Sequence, residues 1–344
     1  MEKMRAMVLS ECAKIETNPL KLTQIDRHEI KRPNEILIKI EACGVCHSQL
    51  HGIEGDWLDI GIPPSLPTVP GHEVVGKIIE IGDSVTKFKV GDRAGITPLL
   101  EACQKCQYCK EGKEYLCESS IILGESFKGG YTEYITVTED FATKVPESMK
   151  AEYAAPLFCA GITAYKAVKA AEPKQDKKIG IFGIGGVGHM AVQFAKVENC
   201  NVIAFSRTQS HLDVAKRLGA NDTMKFSENQ KEFLSTLKEK HGTLDAAIVF
   251  APADIVTDTA IKSVKKGGLI VIATVGENPA FSAFEEKTIR GTLIGSTKDM
   301  EQVIKICDEK NIEVITQVFP LENANEALKK LKNSEIEARG VLIP

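Results

Sequence analysis

The sequence predicts an α/β protein that combines a β-rich region with a doubly wound parallel sheet. Three observations lead to this prediction. Up to about residue 150, short β-like runs are broken by Gly and Pro, whereas from about residue 177 strand and helix patterns alternate. A glycine-rich turn at residues 183–188 follows the first strand of the alternating region. Alternation of this kind is typical of a parallel sheet with helices on both faces.

Length and composition limit the possible classes of protein. The 344 residues include 43 Lys and Arg against 47 Asp and Glu, a formal net charge of −4, and 43% of them are hydrophobic. This is ordinary globular composition, and the length suggests two domains. The mixed charge offers no basic stripe for nucleic acid, and no apolar run approaches the ~20 residues of a membrane-spanning helix. The apolar N-terminal stretch is too short for a signal peptide, so we expect a cytoplasmic protein.

The predicted strands of the first region are spaced as in an antiparallel barrel or sandwich with long loops. They cover residues 35–41, 73–81, 91–97 and 131–138. The loops between them carry Cys and His residues, which makes these loops candidates for metal sites.

The second region alternates between the two kinds of element before the chain returns to the first pattern. Its predicted strands cover residues 178–182, 201–205, 223–226, 246–250, 269–274 and 292–296. Its predicted helices lie near residues 187–197, 209–218, 228–240, 254–264 and 299–310. Residues 313–344 are predicted to form a strand, a helix over about 322–332 and a final strand.

The glycine turn has the pattern G-x-G-x-x-G and is predicted to bind a dinucleotide. The first glycine permits the tight turn, the second lets pyrophosphate approach the backbone, and the third lets helix pack on strand. The helix that follows presents its N-terminus to the anion. The alternative is a glycine-rich turn kept only for packing. The predicted cofactor contacts are Gly183, Gly185, Gly186, Val187 and Gly188.

The end of the second strand of this region bears on the choice between NAD and NADP. Ser206 and Arg207 stand where an acidic residue would bind the ribose hydroxyls of NAD. A hydroxyl and a guanidinium can bind the 2′-phosphate of NADP, and His211 could contribute to the same pocket. We therefore expect NADP, although NAD stays possible if Arg207 merely stacks on adenine.

Two groups of residues are candidate zinc ligands. Four cysteines within fifteen residues supply enough soft ligands for a closed structural zinc site, although an iron–sulfur site also uses four. They are Cys103, Cys106, Cys109 and Cys117. A dispersed set, Cys46, His72 and Cys159, would leave the fourth position of a zinc ion open, as in catalytic sites. Spacing alone does not join this second set, since a lone cysteine after an apolar run is usually a core residue.

Five motifs occur together and in one order: GVCHS, PGHEVVG, CxxCxxCx7C, CAGIT, and GIGGVG followed by Ser-Arg. In these motifs and their spacing the sequence resembles the zinc-dependent medium-chain alcohol dehydrogenases over essentially its whole length. The resemblance implies a GroES-like catalytic domain of residues 1–160 completed by 296–344, and a Rossmann cofactor domain of residues 161–295. It also implies an active site between the two domains.

The resemblance implies a catalytic zinc held by Cys46, His72 and Cys159, with Glu73 close behind it. Together with the four-cysteine loop this predicts two zinc ions per chain. One position departs from the family, because Gln49 stands where relatives commonly have an Asp that supports the zinc-bound His. Its amide oxygen can accept the imidazole proton but cannot supply negative charge, so the zinc should be either more Lewis-acidic or less tightly held.

The remaining site residues are also implied by the resemblance. Ser48 would form a hydrogen bond with the alcohol, and His51 would be the outer proton acceptor. His47 and Arg339 would contact the pyrophosphate, and Thr163 the nicotinamide.

The resemblance implies an oxidoreductase that interconverts alcohols with aldehydes or ketones using NAD(P). A polyol or sugar dehydrogenase would need polar groups where Trp57, Pro98 and Leu99 stand, and similar enzymes use an aromatic at Trp57 to narrow the substrate pocket. Leu99 and Phe127 fit either a cleft or a core. A non-catalytic nucleotide-binding protein would have lost a zinc ligand or Ser48, and none is lost.

Shorter members of the family are commonly tetramers, so we expect a homotetramer, with the sheet edge near 269–274 and 292–296 as a pairing surface.

Overall fold

The computed structural model describes residues 2–60, 64–125, 128–276 and 282–344. The chain forms two compact units. Unit 1 consists of Met1–Cys159 and Gly295–Pro344, and unit 2 of Ala160–Ile294.

The first part of unit 1 is rich in short strands joined by long loops. The strands are β1 (Lys3–Leu9), β2 (Leu20–Asp26), β3 (Glu35–Val45), β4 (Val74–Ile81), β5 (Arg93–Ile96), β6 (Leu99–Glu101), β7 (Ile121–Ile122), β8 (Tyr134–Thr138) and β9 (Ala142–Lys144). The helices are α1 (His47–Glu54), α2 (Gln107–Lys110) and α3 (Ala151–Ala154). Short 3-10 turns lie at Ile15–Thr17, Leu58–Ile60, Glu114–Leu116, Glu139–Phe141 and Ala155–Phe158.

Unit 2 alternates strands with helices. The helices are α4 (Ala160–Ala170), α5 (Gly188–Val197), α6 (Gln209–Arg217), α7 (Gln230–His241) and α8 (Asp254–Ser263). The strands are β10 (Lys178–Phe182), β11 (Asn201–Ser206), β12 (Asp222–Lys225), β13 (Leu244–Val249), β14 (Val264–Ile272) and β15 (Thr288–Gly291), and a 3-10 turn covers Ala283–Glu285. In the described residues these six strands form one parallel sheet in the order β12-β11-β10-β13-β14-β15. The order reverses beside β10, so the predicted doubly wound parallel sheet is confirmed.

The predicted strand at residues 292–296 is wrong. The last strand of the sheet is β15, and its register with β14 ends at the pair Ile272 and Gly291. Ser296 then caps the next helix: its Oγ accepts the N–H of Asp299, and the Asp299 carboxylate accepts the N–H of Ser296. This reciprocal pair belongs to a helix start, which the sequence Ser-x-x-Asp already contains.

The last part of the chain completes unit 1. It contains α9 (Thr297–Lys310), β16 (Thr316–Pro320), a 3-10 turn at Leu321–Asn323, α10 (Ala324–Lys332) and β17 (Arg339–Ile343). In the described part of unit 1, β16-β17-β3-β4-β5-β9 form one sheet, with β8 also paired to β3. All these pairings are antiparallel except that of β16 with β17.

The registers of β3, β4 and β17 bring three chain segments to one edge of this sheet. Cys43, near the end of β3, pairs with Val74 at the start of β4. Val45, the last residue of β3, pairs with Gly340 at the start of β17. The residues just after β3, just before β4 and at the start of β17 therefore lie close together.

A cluster of aromatic side chains packs beside the central strands of unit 2. The rings of Phe182 and Phe205 are stacked with centroids 4.3 Å apart, and the ring of Phe233 lies 5.5 Å from that of Phe205. Because Phe182 ends β10, this buried cluster anchors the start of the glycine turn. Among the described residues, no helix is both long enough and apolar enough to cross a membrane.

Candidate active site

The dispersed zinc-ligand candidates meet at the edge where β3, β4 and β17 converge. The ligand atoms of Cys46, His72, Glu73 and Cys159 all lie within 4.8 Å of one another. The Cys46 and Cys159 sulfurs are 3.9 Å apart, too far for a disulfide. Two thiolates bound at ~2.3 Å to a tetrahedral zinc ion lie about 3.8 Å apart. This donor set and its spacing fit a zinc ion.

Glu73 is the fully buried carboxylate of this cluster. Its Oε1 accepts a hydrogen bond from the Arg339 guanidinium, whereas its Oε2 has no hydrogen-bond partner among the described residues. A Cβ at Gly44 would lie 1.7 Å from Oε2, so only glycine leaves room for the carboxylate there. Burial raises the pKa of Glu73, and Arg339 opposes that change.

The thiols of the cluster are coupled by a hydrogen bond. The contact between the Cys46 and Cys159 sulfurs, in which either can be the donor, lowers the pKa of Cys46 and raises the pKa of Cys159, which burial raises further. His72 also lowers the pKa of Cys46. A thiolate is the form that binds metal, so Cys46 is prepared for that role.

Gln49 contacts the His72 ring through its amide nitrogen. Its Oε1 accepts the N–H of Gly71 at 2.6 Å, and its Nε2 lies 3.0 Å from His72 Nδ1. A backbone N–H can only donate, so the amide oxygen must face Gly71 and the NH₂ group must face the imidazole. The amide oxygen, which the sequence left free to accept an imidazole proton, is therefore used by Gly71 instead.

Helix α1 carries the predicted proton-transfer residues. Ser48 Oγ donates to Cys46 Sγ at 3.2 Å and lies 3.4 Å from His72 Nε2. His51, whose side chain is 37% exposed, donates through Nδ1 to Asp56 at 2.9 Å. This bond lowers the pKa of Asp56, a residue that the motif analysis missed because no motif includes it.

A small cavity opens beside Ser48. Its lining includes Gln49, Trp57, Pro70 and Glu125. The Trp57 ring stacks on His51 with centroids 5.4 Å apart. Glu125 is half-buried, and burial raises its pKa. Nothing in the sequence pattern marked this carboxylate, because it follows a glycine in a loop without regular periodicity.

The predicted pocket residues outside this cavity have other positions. Leu99 is 2% exposed on β6, which assigns it to the core. Phe127 lies outside the described residues. His47, the first residue of α1, is exposed, whereas Arg339 is 3% exposed and bound to Glu73.

The four-cysteine loop forms a separate cluster in unit 1. The ligand atoms of Cys103, Cys106, Cys109 and Cys117 lie within 4.8 Å of one another. The Cys109 sulfur is 3.6 Å from that of Cys106 and 4.0 Å from that of Cys103. Backbone N–H groups of Lys105 and Cys106 lower the pKa of Cys103 to about 6. Four sulfurs at this spacing fit a closed zinc site.

The glycine turn lies between β10 and α5 in unit 2. Gly183 has φ +99°, a left-handed conformation that favours glycine, and a Cβ at Gly188 would lie 2.0 Å from the Gly183 oxygen. A Cβ at Gly185 would meet no heavy atom of the described residues within 4 Å. His189, which the motif analysis missed, donates through Nδ1 to the Gly185 carbonyl at 3.0 Å.

The predicted ribose-binding residues lie at the end of β11. Ser206 is buried, and its Oγ accepts the N–H of Thr208 at 3.3 Å, whereas Arg207 is exposed. His211 lies on α6, and exposed Lys225 pairs with Ser206 on the neighbouring strand β12. Only the sheet register identifies Lys225 as a neighbour. Thr163 is half-buried on α4.

Comparisons with known proteins match most of the chain. Residues 32–147 match the family model described as an alcohol dehydrogenase GroES-like domain, and residues 186–309 match that of a zinc-binding dehydrogenase. An alcohol dehydrogenase of Geobacillus stearothermophilus is 38% identical over 344 residues, covering 98% of this chain and 99% of that enzyme.

Solved structures agree over the full chain length. The acetophenone reductase from Geotrichum candidum, solved in complex with NAD, has a TM-score of 0.88 and 27% identity, and the match covers 100% of this chain and 98% of that one. CAD from Helicobacter pylori, solved in complex with NADP(H), has a TM-score of 0.87 and 26% identity, with 99% and 98% covered.

Proposed function

Since the chain belongs to the zinc-dependent medium-chain alcohol dehydrogenase family, we propose that Cys46, His72 and Cys159 hold its catalytic zinc and that its preferred cofactor is NADP. The enzyme interconverts alcohols with aldehydes or ketones using NAD(P). The observation that carries the site assignment is the buried cluster of two sulfurs and one imidazole with the Ser48 hydroxyl beside it. A second zinc ion belongs to the four-cysteine loop, where all positions are taken by protein.

When bound, zinc would supply an electrophile that lowers the pKa of a substrate hydroxyl, and NAD(P) would supply the hydride acceptor. Ser48 accepts the substrate's hydroxyl proton at Oγ as it releases its own hydroxyl proton towards His51, because Oγ can both accept and donate. His51 receives the proton on its outer side, because the Asp56 carboxylate accepts from Nδ1 and orients the ring. Glu73 and Arg339 form a buried ion pair that holds the Glu73 carboxylate in place beside the zinc ligands.

The cofactor contacts in unit 2 follow from the glycine turn and the end of β11. Gly183, Gly185, Gly186, Val187 and Gly188 receive the pyrophosphate at the start of α5, with Thr163 at the nicotinamide. Arg207, with Ser206, His211 and neighbouring Lys225, meets the 2′-phosphate, and His47 and Arg339 of unit 1 contribute to pyrophosphate binding. The guanidinium and ammonium charges at the end of β11 support the preference for NADP.

The cavity beside Ser48 limits the substrate. Trp57 gives it an aromatic wall that favours apolar alcohols and aldehydes, whereas Glu125 adds a carboxylate to its lining. Glu125 is the specific observation that favours the second candidate, a polyol or sugar dehydrogenase, because a carboxylate accepts hydrogen bonds from substrate hydroxyls. Hydroxylated substrates therefore belong in any activity screen.

The organisation of the molecule is part of the proposal. We assign catalysis to residues 1–160 with 296–344 and cofactor binding to residues 161–295, which the division of contacts into two units supports. Cysteines kept as thiols support a cytoplasmic location. An exposed sheet edge at β15 supports assembly into a homotetramer.

The function is tested with a matched pair of cysteine variants and elemental analysis. We expect two zinc ions per wild-type chain and one in Cys46→Ala, whose turnover should fall by at least about 1,000-fold while its fold is kept. Cys106→Ala should instead lower the thermal unfolding midpoint, because its site orders a loop. Activity is screened with alcohols, polyols and aldehydes in the presence of each cofactor. Iron in place of zinc, or full activity in Cys46→Ala, would contradict the site assignment.

A further inference from the structure

The contact between Gln49 and His72 has a fixed direction. Gln49 is 4% exposed, so neither its oxygen nor its nitrogen can exchange its protein partner for bulk water. The Gly71 N–H donates a hydrogen bond to the Gln49 oxygen at 2.6 Å. The Gln49 amide nitrogen therefore directs an N–H at His72 Nδ1, 3.0 Å away. A neutral imidazole that meets a donor at Nδ1 must present its lone pair there.

The lone pair at His72 Nδ1 determines where the ring carries its proton. With its lone pair at Nδ1, neutral His72 carries its proton on Nε2, which lies 3.4 Å from Ser48 Oγ and can donate to it. Nε2 is the ring atom beside Ser48 Oγ, which also contacts Cys46 Sγ, so zinc binding there requires its lone pair. The proton must then move to Nδ1, where it would oppose the Gln49 amide N–H.

We propose that Gln49 is a positioning residue that holds metal-free His72 in the tautomer unable to bind zinc, and so weakens retention of the catalytic zinc. Zinc binding forces the amide to turn over, which sets its NH₂ group against the Gly71 N–H and breaks the 2.6 Å hydrogen bond. The inference rests on the proposed role of His72 as a zinc ligand. Of the two consequences open from the sequence, a more Lewis-acidic zinc or a less tightly held one, it favours the second.

The isosteric variant Gln49→Glu tests this directly. A carboxylate of the same length accepts from both the Gly71 N–H and a His72 Nδ1–H, so no donor opposes metal binding. We expect zinc at the catalytic site to bind about 10–100-fold more tightly than in wild type, the range typical of changes in groups that support metal ligands. Affinity is measured by chelator competition on the full chain with the four-cysteine site loaded.

A spectroscopic readout separates the tautomer from the added negative charge. Selective ¹⁵N-histidine labelling reports which ring nitrogen carries the proton, and His72→Asn identifies the His72 signal. Above neutral pH and without catalytic zinc, wild-type His72 should be protonated at Nε2, and in Gln49→Glu at Nδ1. Glu125→Gln, which changes a charge near the same ring by one unit, should leave the Nε2 tautomer in place.

Two results would overturn the proposal: an Nδ1–H tautomer in the metal-free wild type, or a zinc affinity of Gln49→Glu within about threefold of wild type. Failure of the ligand assignment gives a different result, because Cys46→Ala would then keep two zinc ions per chain.

Discussion

At the scale of single residues, the pair of Glu73 and Arg339 changes how a predicted cofactor contact must be understood. The sequence placed Arg339 at the pyrophosphate, but the structure buries it against Glu73. Its Nε has no hydrogen-bond partner among the described residues, so the guanidinium retains one free donor. We therefore expect Arg339 to act on the cofactor while still neutralising Glu73, rather than by leaving it.

Arg207 gives the sharpest prediction about the cofactor. A guanidinium can meet a 2′-phosphate with charge-assisted hydrogen bonds worth about 1.5–3 kcal/mol each. We expect kcat/KM for NADPH to exceed that for NADH by roughly 10–100-fold. Arg207→Ala should remove most of this ratio through KM, because the 2′ end of the cofactor is remote from hydride transfer.

Two further variants define the same pocket. Ser206→Asp should reverse the preference towards NADH, since a carboxylate repels the phosphate and binds ribose hydroxyls. The exposed residue Lys238 on α7 serves as a control, and Lys238→Ala should leave the ratio unchanged. A wild-type enzyme that prefers NADH would refute this account of the β11 end without affecting the zinc assignment.

At the scale of elements, strand β15 is an edge that pairs with β14 on one side only in the described residues. Nearby side chains are unusually exposed for apolar residues: Phe284 is 92% exposed and Leu293 56%. An unpaired strand edge with apolar neighbours is a ready surface for association with a second copy.

This edge predicts the behaviour of the assembly in solution. Wild type should have about four times the chain mass of 37.5 kDa by light scattering. Phe284→Glu should shift the distribution to smaller species, because it places a charge in an apolar contact. Val90→Glu is the matched control, at a residue that is 57% exposed in unit 1, and it should leave the distribution of species unchanged. A monomeric wild type at micromolar concentration would contradict the prediction.

At the scale of the whole molecule, His28 makes stability depend on pH. Burial, with smaller contributions from Lys128 and Lys31, lowers the pKa of His28 from 6.5 to about 4. An unfolded chain therefore binds a proton at His28 between these values while the folded chain does not. The contribution of neutral His28 to the free energy of unfolding is therefore complete above pH 6.5. This contribution is lost progressively as the pH falls towards 4.

The loss should be about 2 kcal/mol between pH 7.5 and pH 4.5, after allowing for partial exposure of the ring. His28→Phe should remove that part of the pH dependence while changing stability little at pH 7.5. The free energy of unfolding at each pH is measured by urea denaturation, with tryptophan emission as the signal. Trp57 is the single tryptophan and lies in unit 1, as does His28. Parallel pH profiles of the two proteins would show that His28 does not carry the effect.

Much of the molecule was accessible from the sequence because the signals are local. The strand–glycine–helix pattern at residues 183–188 identified the parallel sheet, since each of its parts requires particular residues next to one another. The four cysteines from Cys103 to Cys117 indicated one metal site for the same reason. The Ser-x-x-Asp helix start at Ser296 was also local, and weighing it would have prevented the wrong strand at 292–296.

By itself, then, the sequence determined the fold class, the glycine turn and the cysteine-rich loop. Only the tertiary structure decided what depends on register and on the direction of hydrogen bonds. Antiparallel pairing of β3 with β4 and β17 brings residues 46, 72 and 339 to one edge, although residue 339 lies more than 250 positions beyond the other two in the chain. The side of Gln49 that faces His72 is set by the Gly71 N–H, because a buried amide has one donor end and one acceptor end and a backbone N–H donates only to the acceptor end.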